Sequence, residues 1–400
     1  MRSPLDGLTV LDMTIWQNGP FATVMLSDMG ANVIKIEDPV NGDPGRNLGS
    51  LTATLKRENF YFQTMNRNKQ SMTLNLKSQQ GREIFYKLVK NADVVTQNFR
   101  VGVVEKLGVD YETVKKLNPK IIYASSSGLG PKGPDAREGV MDILGQARSA
   151  YMWLGSVGEK DVSYRLMGGV GDQIGAITLA YGVLLGVIAR ERYGIGQHIQ
   201  SSQLGSVVML QAMALNSYLI NGDIQTSRPR TEAPNPLWNI YRCSDDKWLA
   251  LGCTQSDRFW ADFVRVLGIE HVNSDPRFKD HATRGENCQP IIEIIDKVFL
   301  TKSRDEWVKA LRERTIYCAP VQDFEDLAKD PQVLENGYIT EVPHPTRGTL
   351  TEAGVAVALS ETPGAARRSA PEFGEHTEEI LLANGYEWEQ IAQLRDQGVI

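Results

Sequence analysis

The chain has 400 residues, 42% of them hydrophobic, 23% charged and 8% aromatic, and carries a net charge of −6. That length admits two domains with real cores, and the acidic balance removes any general electrostatic case for nucleic acid, though not for a local basic groove around one anionic ligand. The four cysteines (Cys243, Cys253, Cys288, Cys318) lack C-x-x-C spacing, so neither a disulfide scaffold nor a bound metal is expected.

The opening MRSPLDGLTVLDMT has no apolar secretory core and reads as the start of a folded domain. LTVLDMT (8–14) predicts a strand. GPFATVMLSDMG (19–30) predicts a helix with Pro20 in its first turn, a stripe of Phe21, Val24, Met25 and Met29, and Gly30 as the stop. ANVIKIE (31–37) is apolar enough for a buried parallel strand. The unit recurs as REIFYKLVKN leading to ADVVTQNF, and as YETVKKLNPK leading to IIYASSSG. Alternating strands and helices predict an α/β fold, a parallel sheet covered on both faces. SMTLNLK (71–77) alternates as an edge or half-exposed strand does.

Two apolar helices are expected at 172–192 and 203–220. Residues 174–189 are the one membrane suspect, but the run is short, holds glycines and enters Arg190, Glu191 and Arg192. A buried helix is the expectation, in a soluble, cytoplasmic protein with no membrane partner. The polar, proline-rich 221–236 marks a domain boundary. A hairpin turning at Ser244–Lys247 follows, then helices at 256–267, 289–300 and 303–314, and helical pieces at the C-terminal end.

The first βα turn, TIWQNGPF, lacks G-x-G-x-x-G, and no G-x-x-x-x-G-K-[ST] occurs, which argues against a dinucleotide enzyme or a P-loop ATPase. Gln17 and Asn18 fall at the carboxyl end of the first strand, where α/β sheets place ligands. Gln17 is either an amide donor to an oxyanion or plain turn chemistry. Arg67, Lys69 and Lys77 in NRNKQSMTLNLK suit either phosphate contact or a solvated strand edge. In MGGVGDQIGAI (167–177), Asp172 follows a glycine cluster and opens an apolar run. It reads as a helix N-cap worth roughly 1 kcal/mol, or as a carboxylate nucleophile with glycines clearing space for a bulky acyl group. Burial would raise its pKa and the helix start would counter that. The residues alone leave both open.

Taken in order, PLDGLTVLDMT, GPFA, MGANVIKIE, NGDPGR, NRNKQSMTLNLK, ADVVTQNFR, NPKIIYASSSGLG, GDQIGAITLAYGVLLGVIARERYGIGQHI and GEHTEEIL resemble the class III coenzyme A transferases. That family includes formyl-CoA transferase, carnitine CoA-transferases and 2-methylacyl-CoA racemases. The resemblance implies that Asp172 is the nucleophile and that Gln17 holds the acyl intermediate. It points to Asn98, Phe99, Lys106, Leu74 and Lys77 for coenzyme A, with Arg46, Trp16, Asn18 and Met141 completing the candidate set. Asp38 stands where formyl-CoA transferase is basic. Racemases carry a histidine where this chain has Met141, and the tetraglycine loop of formyl-CoA transferase is replaced by EAPNPLWN.

The implied activity is acyl-CoA:carboxylate CoA transfer through mixed-anhydride and aspartyl-CoA thioester intermediates. Succinyl-CoA and a larger or aromatic acid are candidate partners, with Arg165 suited to a second carboxylate and Trp238 to an aromatic pocket. A racemase and a non-catalytic CoA-binding subunit are the alternatives. The implied architecture is a large Rossmann-like domain (1–220 with 340–400), a smaller α+β domain (225–335), and an interlocked homodimer, or a heteromer with a related subunit.

Overall fold

The computed structural model describes residues 2–48, 59–155, 168–225 and 227–400. Their contacts separate into two compact units. The first gathers the residues up to Leu154, those from 168 to Gln225, and Leu334–Ile400; the second holds those from 227 to Val333.

In the first unit β1 (Thr9–Asp12), α1 (Asn18–Asp28) and β2 (Asn32–Glu37) lead to α2 (Phe60–Asn66), β3 (Gln70–Thr73) and α3 (Gln79–Val89). Then come β4 (Val94–Gln97), α4 (Val103–Leu107), α5 (Tyr111–Leu117), β5 (Ile122–Ser127), α6 (Asp142–Arg148) and α7 (Tyr151–Leu154). After these, α8 (Val170–Tyr193), β6 (Gln197–Ser202), α9 (Gln203–Leu210) and α10 (Ala212–Asn221) complete the run. The six strands are parallel, in the order β3-β2-β1-β4-β5-β6. This is the doubly wound order, in which the direction of winding reverses between β1 and β4.

The two-residue period of the strands splits the core cleanly. Val10, Val33, Val94 and Ile122 face one side, where Ala22 and Leu26 of α1 and Ala176, Leu179 and Val183 of α8 cover them. Leu11, Ile34, Val95 and Tyr123 face the other, beneath Phe85 and Leu88 of α3 and the C-terminal helices Thr377–Ala383 and Trp388–Asp396. The end of the chain therefore closes the face that its beginning opens.

Three expectations change. β3 is an edge strand but not half-exposed, because Ser71, Met72 and Thr73 are buried. The C-terminal segment covers that edge: Thr73 N–H donates to Thr377 Oγ1 (3.0 Å), and His376 N–H to the Ser71 carbonyl (2.9 Å). The 203–220 helix is two helices bent by 74°. The break falls at Gln211, which leaves helical geometry and turns its amide to the Ser149 carbonyl. α1 is buried on nearly every side, Thr23, Ser27 and Asp28 included, so its sequence shows no clean apolar stripe.

By length and composition α8 could cross a membrane. Its small and branched face is nonetheless a packing seam, for Ala176, Leu179, Ala180 and Val183 meet α1, β5 and β6. The second unit pairs β7 (Trp238–Arg242) and β8 (Trp248–Gly252) as the expected hairpin, with β9 (Cys318–Pro320) beside β8. Helices Ser256–Leu267, Cys288–Phe299 and Arg304–Arg312 bury Phe263, Ile295, Phe299 and Trp307 in one aromatic-rich core with Tyr241.

Candidate active site

The loop after β1 is fixed from below by buried charge. Asp12 accepts hydrogen bonds from the Thr14 backbone N–H (2.9 Å), Thr14 Oγ1 (2.5 Å), Thr23 Oγ1 (2.6 Å), Thr96 Oγ1 (3.2 Å) and Lys69 Nζ (3.0 Å). Burial works against its charge, yet Lys69 and Lys35 hold Asp12 below the usual carboxylate range. Lys35 Nζ in turn donates to the Thr14 carbonyl (2.9 Å) and pairs with Asp43 (2.6 Å). Asp43 accepts the Trp16 N–H (3.1 Å), and Asn98 clamps Ile15 with both ends of its amide (2.9 and 2.8 Å). Trp16 is held at φ 67°, a left-handed conformation that a bulky residue adopts only when its surroundings over-determine it. Gln17 and Asn18 are thereby delivered in one fixed geometry at the switch point.

Opposite that loop Gly169, whose φ is 73°, stands at the N-cap of α8. Asp172 is the third residue of the helix and does not cap it. Its carboxylate Oδ1 instead accepts a short hydrogen bond from Gln203 Nε2, at the start of α9. Its own backbone N–H, one of the donors a helix start leaves unpaired, goes to Asp142 Oδ1 (3.0 Å). Gln146, one turn along α6, donates to the other oxygen of Asp142 (2.5 Å). Among the described residues no cation pairs with Asp172. Burial, together with the charge of Asp142, pushes its carboxyl up to about 6, with Gln203 pulling the other way.

Three glycines around Asp172 have a use within the fold itself. A Cβ on Gly169 would collide with the Gln17 amide, one on Gly175 with the Asn18 amide, and one on Gly171 would lie 2.8 Å from Asp142 Oδ1. They make room for the amides and the carboxylate that surround Asp172. Among the described residues, no atom lies within 4 Å of a Cβ added at Gly168. Through the Gly175 gap Asn18 Nδ2 reaches the Asp172 carbonyl (3.3 Å).

A cavity of about 290 Å³ opens beside this loop at the carboxyl ends of β1, β2 and β4, lined by Met13, Ile15, Asp38, Leu74, Lys77 and Phe99. Leu74, Lys77 and Phe99 are thus brought together, and Lys77 Nζ lies 3.6 Å from Asp38 Oδ2. Lys106 is exposed on α4 and does not line the cavity. Arg46 is bound to Glu37 (2.7 Å) and stacks on Phe62, so its guanidinium is engaged within the fold. Met141 stands just before α6, largely exposed. Trp238 belongs to the second unit, and Arg165 lies outside the described residues.

Neither reading of Arg67 and Lys69 holds. Lys69 is wholly buried on Asp12, and Arg67 is buried on Asp28 (2.7 Å) and Glu352 (3.5 Å). Three site residues escape sequence reasoning. Gln203 and Asp142 are polar residues at the starts of apolar helices, where caps are commonplace. Tyr61, in α2, senses the charges of Asp172 and Asp43, which add to burial in raising its phenol.

The chain matches the model of the CoA-transferase family III over residues 5–377, and it belongs to that family. It is 32% identical to the acetyl-CoA:oxalate CoA-transferase of Acetobacter aceti, over 84% of this chain and 86% of that one. With the succinyl-CoA:glutarate CoA-transferase of Mus musculus the identity is 30%, over 99% and 90%. The crystal structure of a CAIB/BAIF family protein from Brucella suis superposes with a TM-score of 0.86 at 26% identity, covering 96% of this chain and all of that one. The protein is a class III CoA-transferase whose substrates are CoA thioesters.

Proposed function

We propose that the protein moves coenzyme A from an acyl-CoA donor to a free carboxylic acid, with Asp172 as the covalent nucleophile. The carrying observation is a carboxylate with a pKa of about 6 that is held by the Gln203 amide and by no cation of the described residues. Such a group is ionised at neutral pH and poorly solvated, which suits attack on a thioester.

Asp172 attacks the donor carbonyl, the C–S bond breaks, and CoA thiolate leaves a mixed anhydride. The thiolate returns to the aspartyl carbonyl, releasing the donor's carboxylate and leaving an aspartyl-CoA thioester. The acceptor carboxylate then attacks that thioester and expels the thiolate. Thiolate attack on the new acyl group yields acyl-CoA and regenerates Asp172. Gln17, wedged against Gly169, serves the oxyanion that forms on the substrate acyl group. The cavity of Leu74, Lys77 and Phe99 holds the nucleotide end, which keeps the thiolate in place through the cycle. Met141 has no proton to move, so α-carbon racemisation is the weaker reading.

The relatives named for oxalate and glutarate make dicarboxylates the first acceptors to try, with aromatic acids beside them, and succinyl-CoA the first donor. An apolar outer face on α8 (Ile177, Tyr181, Leu185, Ile188) supports a second copy of the chain as its cover. The test is intact-protein and peptide mass spectrometry after brief incubation with succinyl-CoA and a small acyl-CoA panel. A hydroxylamine-sensitive CoA adduct on Asp172, absent in Asp172→Ala, is expected. Transfer activity without any adduct would overturn the covalent route.

A further inference from the structure

Gln203 sits in an arrangement that packing alone does not account for. It is 5% exposed, its Nε2 donates to Asp172 Oδ1, and its Oε1 is buried with no hydrogen-bond partner among the described residues. That orphaned oxygen faces Gly145 of α6, where an added Cβ would lie 2.9 Å away. Turning the amide over would bring Oε1 against the Asp172 carboxylate, so the charge of Asp172 fixes which end points inward. A buried acceptor left unpaired is a recurring cost, seen where the other end of the group is needed for chemistry.

The four steps of the cycle place negative charge on two different oxygens. In the first and last it develops on the substrate acyl oxygen. In the second and third, attack on the aspartyl carbonyl carbon sends the C=O electron pair onto a former carboxylate oxygen of Asp172. That pair returns as the carboxylate or the thiolate departs. Gln17 lies against Gly169, whereas Gln203 is already hydrogen-bonded to Oδ1.

We infer that Gln203 is a third catalytic residue, the oxyanion donor for the two steps that occur at the aspartyl carbonyl. This rests on the covalent reading of Asp172. In the resting enzyme the same bond holds the carboxylate in place. Once Asp172 is acylated, Oδ1 is the carbonyl oxygen, and Nε2 strengthens its hold as charge builds there. Asp142, fixed by Gln146, anchors the backbone of the same residue, so the carbonyl cannot swing away from its donor.

The experiment charges the enzyme with an acyl-CoA, removes free donor, adds acceptor acid, and follows discharge of the aspartyl-CoA adduct by rapid quench and intact mass. Wild type, Gln203→Met and Gln203→Glu are compared. The first variant keeps the volume, and the second keeps the shape but has no donor when ionised. Removing one oxyanion donor is expected to slow discharge about 10²–10³-fold, lowering kcat while KM for donor and acceptor stays within about threefold. Discharge at the wild-type rate in either folded variant would overturn the inference. So would a loss confined to KM, which marks a packing role. Absence of any adduct in wild type would instead strike the covalent reading itself, which keeps the two failures apart.

Discussion

Asp12 and Asp172 are both carboxylates withdrawn from water within the same unit, and the fold treats them in opposite ways. Asp12 is fully buried, takes five hydrogen bonds, and has two lysine charges pulling its pKa down. Asp172 takes a glutamine amide, faces the like charge of Asp142, and is held up to about 6. The first arrangement spends its charge on holding a loop still. The second keeps a charge weakly compensated, as the proposed nucleophile needs. Position in the sheet does not distinguish them, because both lie around the carboxyl ends of the central strands. Partner chemistry does.

The sharpest way to break the comparison is to remove each carboxylate's defining feature. Asp172→Asn is expected to lose at least about 10⁴-fold in kcat, as removal of a nucleophile does. It should also be more stable at pH 7.5. The folded pKa of about 6 lies above the unfolded value near 3.8, so the folded state binds more protons between them and wild-type stability falls as pH rises through that window. Full conversion corresponds to about 3 kcal/mol, and partial solvation reduces it to about 1–2 kcal/mol. The melting-temperature gap between variant and wild type should therefore widen from pH 5 to pH 7.5. In wild type, kcat/KM should climb through pH 6 and then level. A gap that narrows with rising pH would show that Asp172 is not raised.

Lys69→Met makes the opposite prediction. It leaves Asp12 buried beside one lysine instead of two, and breaking a buried pair costs about 3–5 kcal/mol. Thermal and urea melts should show that loss directly. Activity should fall only as far as the folded fraction and the Trp16–Gln17 loop are disturbed.

Sequence reasoning reached the fold because the strands announce themselves. VLD, NVIKIE and ADVVTQ are apolar runs bounded by turn residues, and parallel strands buried on both faces need nothing else. It singled out Asp172 as a candidate through the glycine cluster, but not the side chains that the glycines admit. Their near neighbours are far away along the chain: Gly171 meets Asp142, Gly169 meets Gln17 and Gly175 meets Asn18. Gln203 was illegible for the same reason: a glutamine opening an apolar helix has no local signature of a long-range bond. Arg67 and Lys69 misled because charge beside an edge strand normally means solvent, whereas Lys69 turns inward to Asp12 and Asn66, and Arg67 is held between Asp28 and Glu352 of the returning C-terminal segment.

Gly169→Ala tests the role of the glycines at a smaller scale. A left-handed φ costs a residue with a side chain about 1–2 kcal/mol, and the new methyl displaces the Gln17 amide. We expect a folded enzyme with kcat reduced about 10²-fold, close to the loss of one oxyanion donor. If the glycine only cleared space for substrate, the loss would instead grow with acyl size across a donor panel.

The smallest effect belongs to the rim of the cavity proposed for the nucleotide. Asp38 hydrogen-bonds the Val40 and Asn41 N–H groups, which lower its carboxyl against the opposing effect of burial, and Lys77 is 3.6 Å away. A carboxylate there neutralises Lys77, the exposed one of the two lysines that line the cavity, and repels a phosphate. Asp38→Asn keeps an oxygen for both backbone donors while removing the charge, so the turn should survive. An exposed pair of this kind is worth at most about 1 kcal/mol, which limits the expected fall in KM for acyl-CoA to about two- to fivefold, with kcat unchanged. Screening adds a second signature, because the advantage should shrink as ionic strength rises and the Debye length drops below about 10 Å. A KM that stays put at low salt would mean that the phosphates bind elsewhere, and that Lys77 serves the turn at Asp38 more than the substrate.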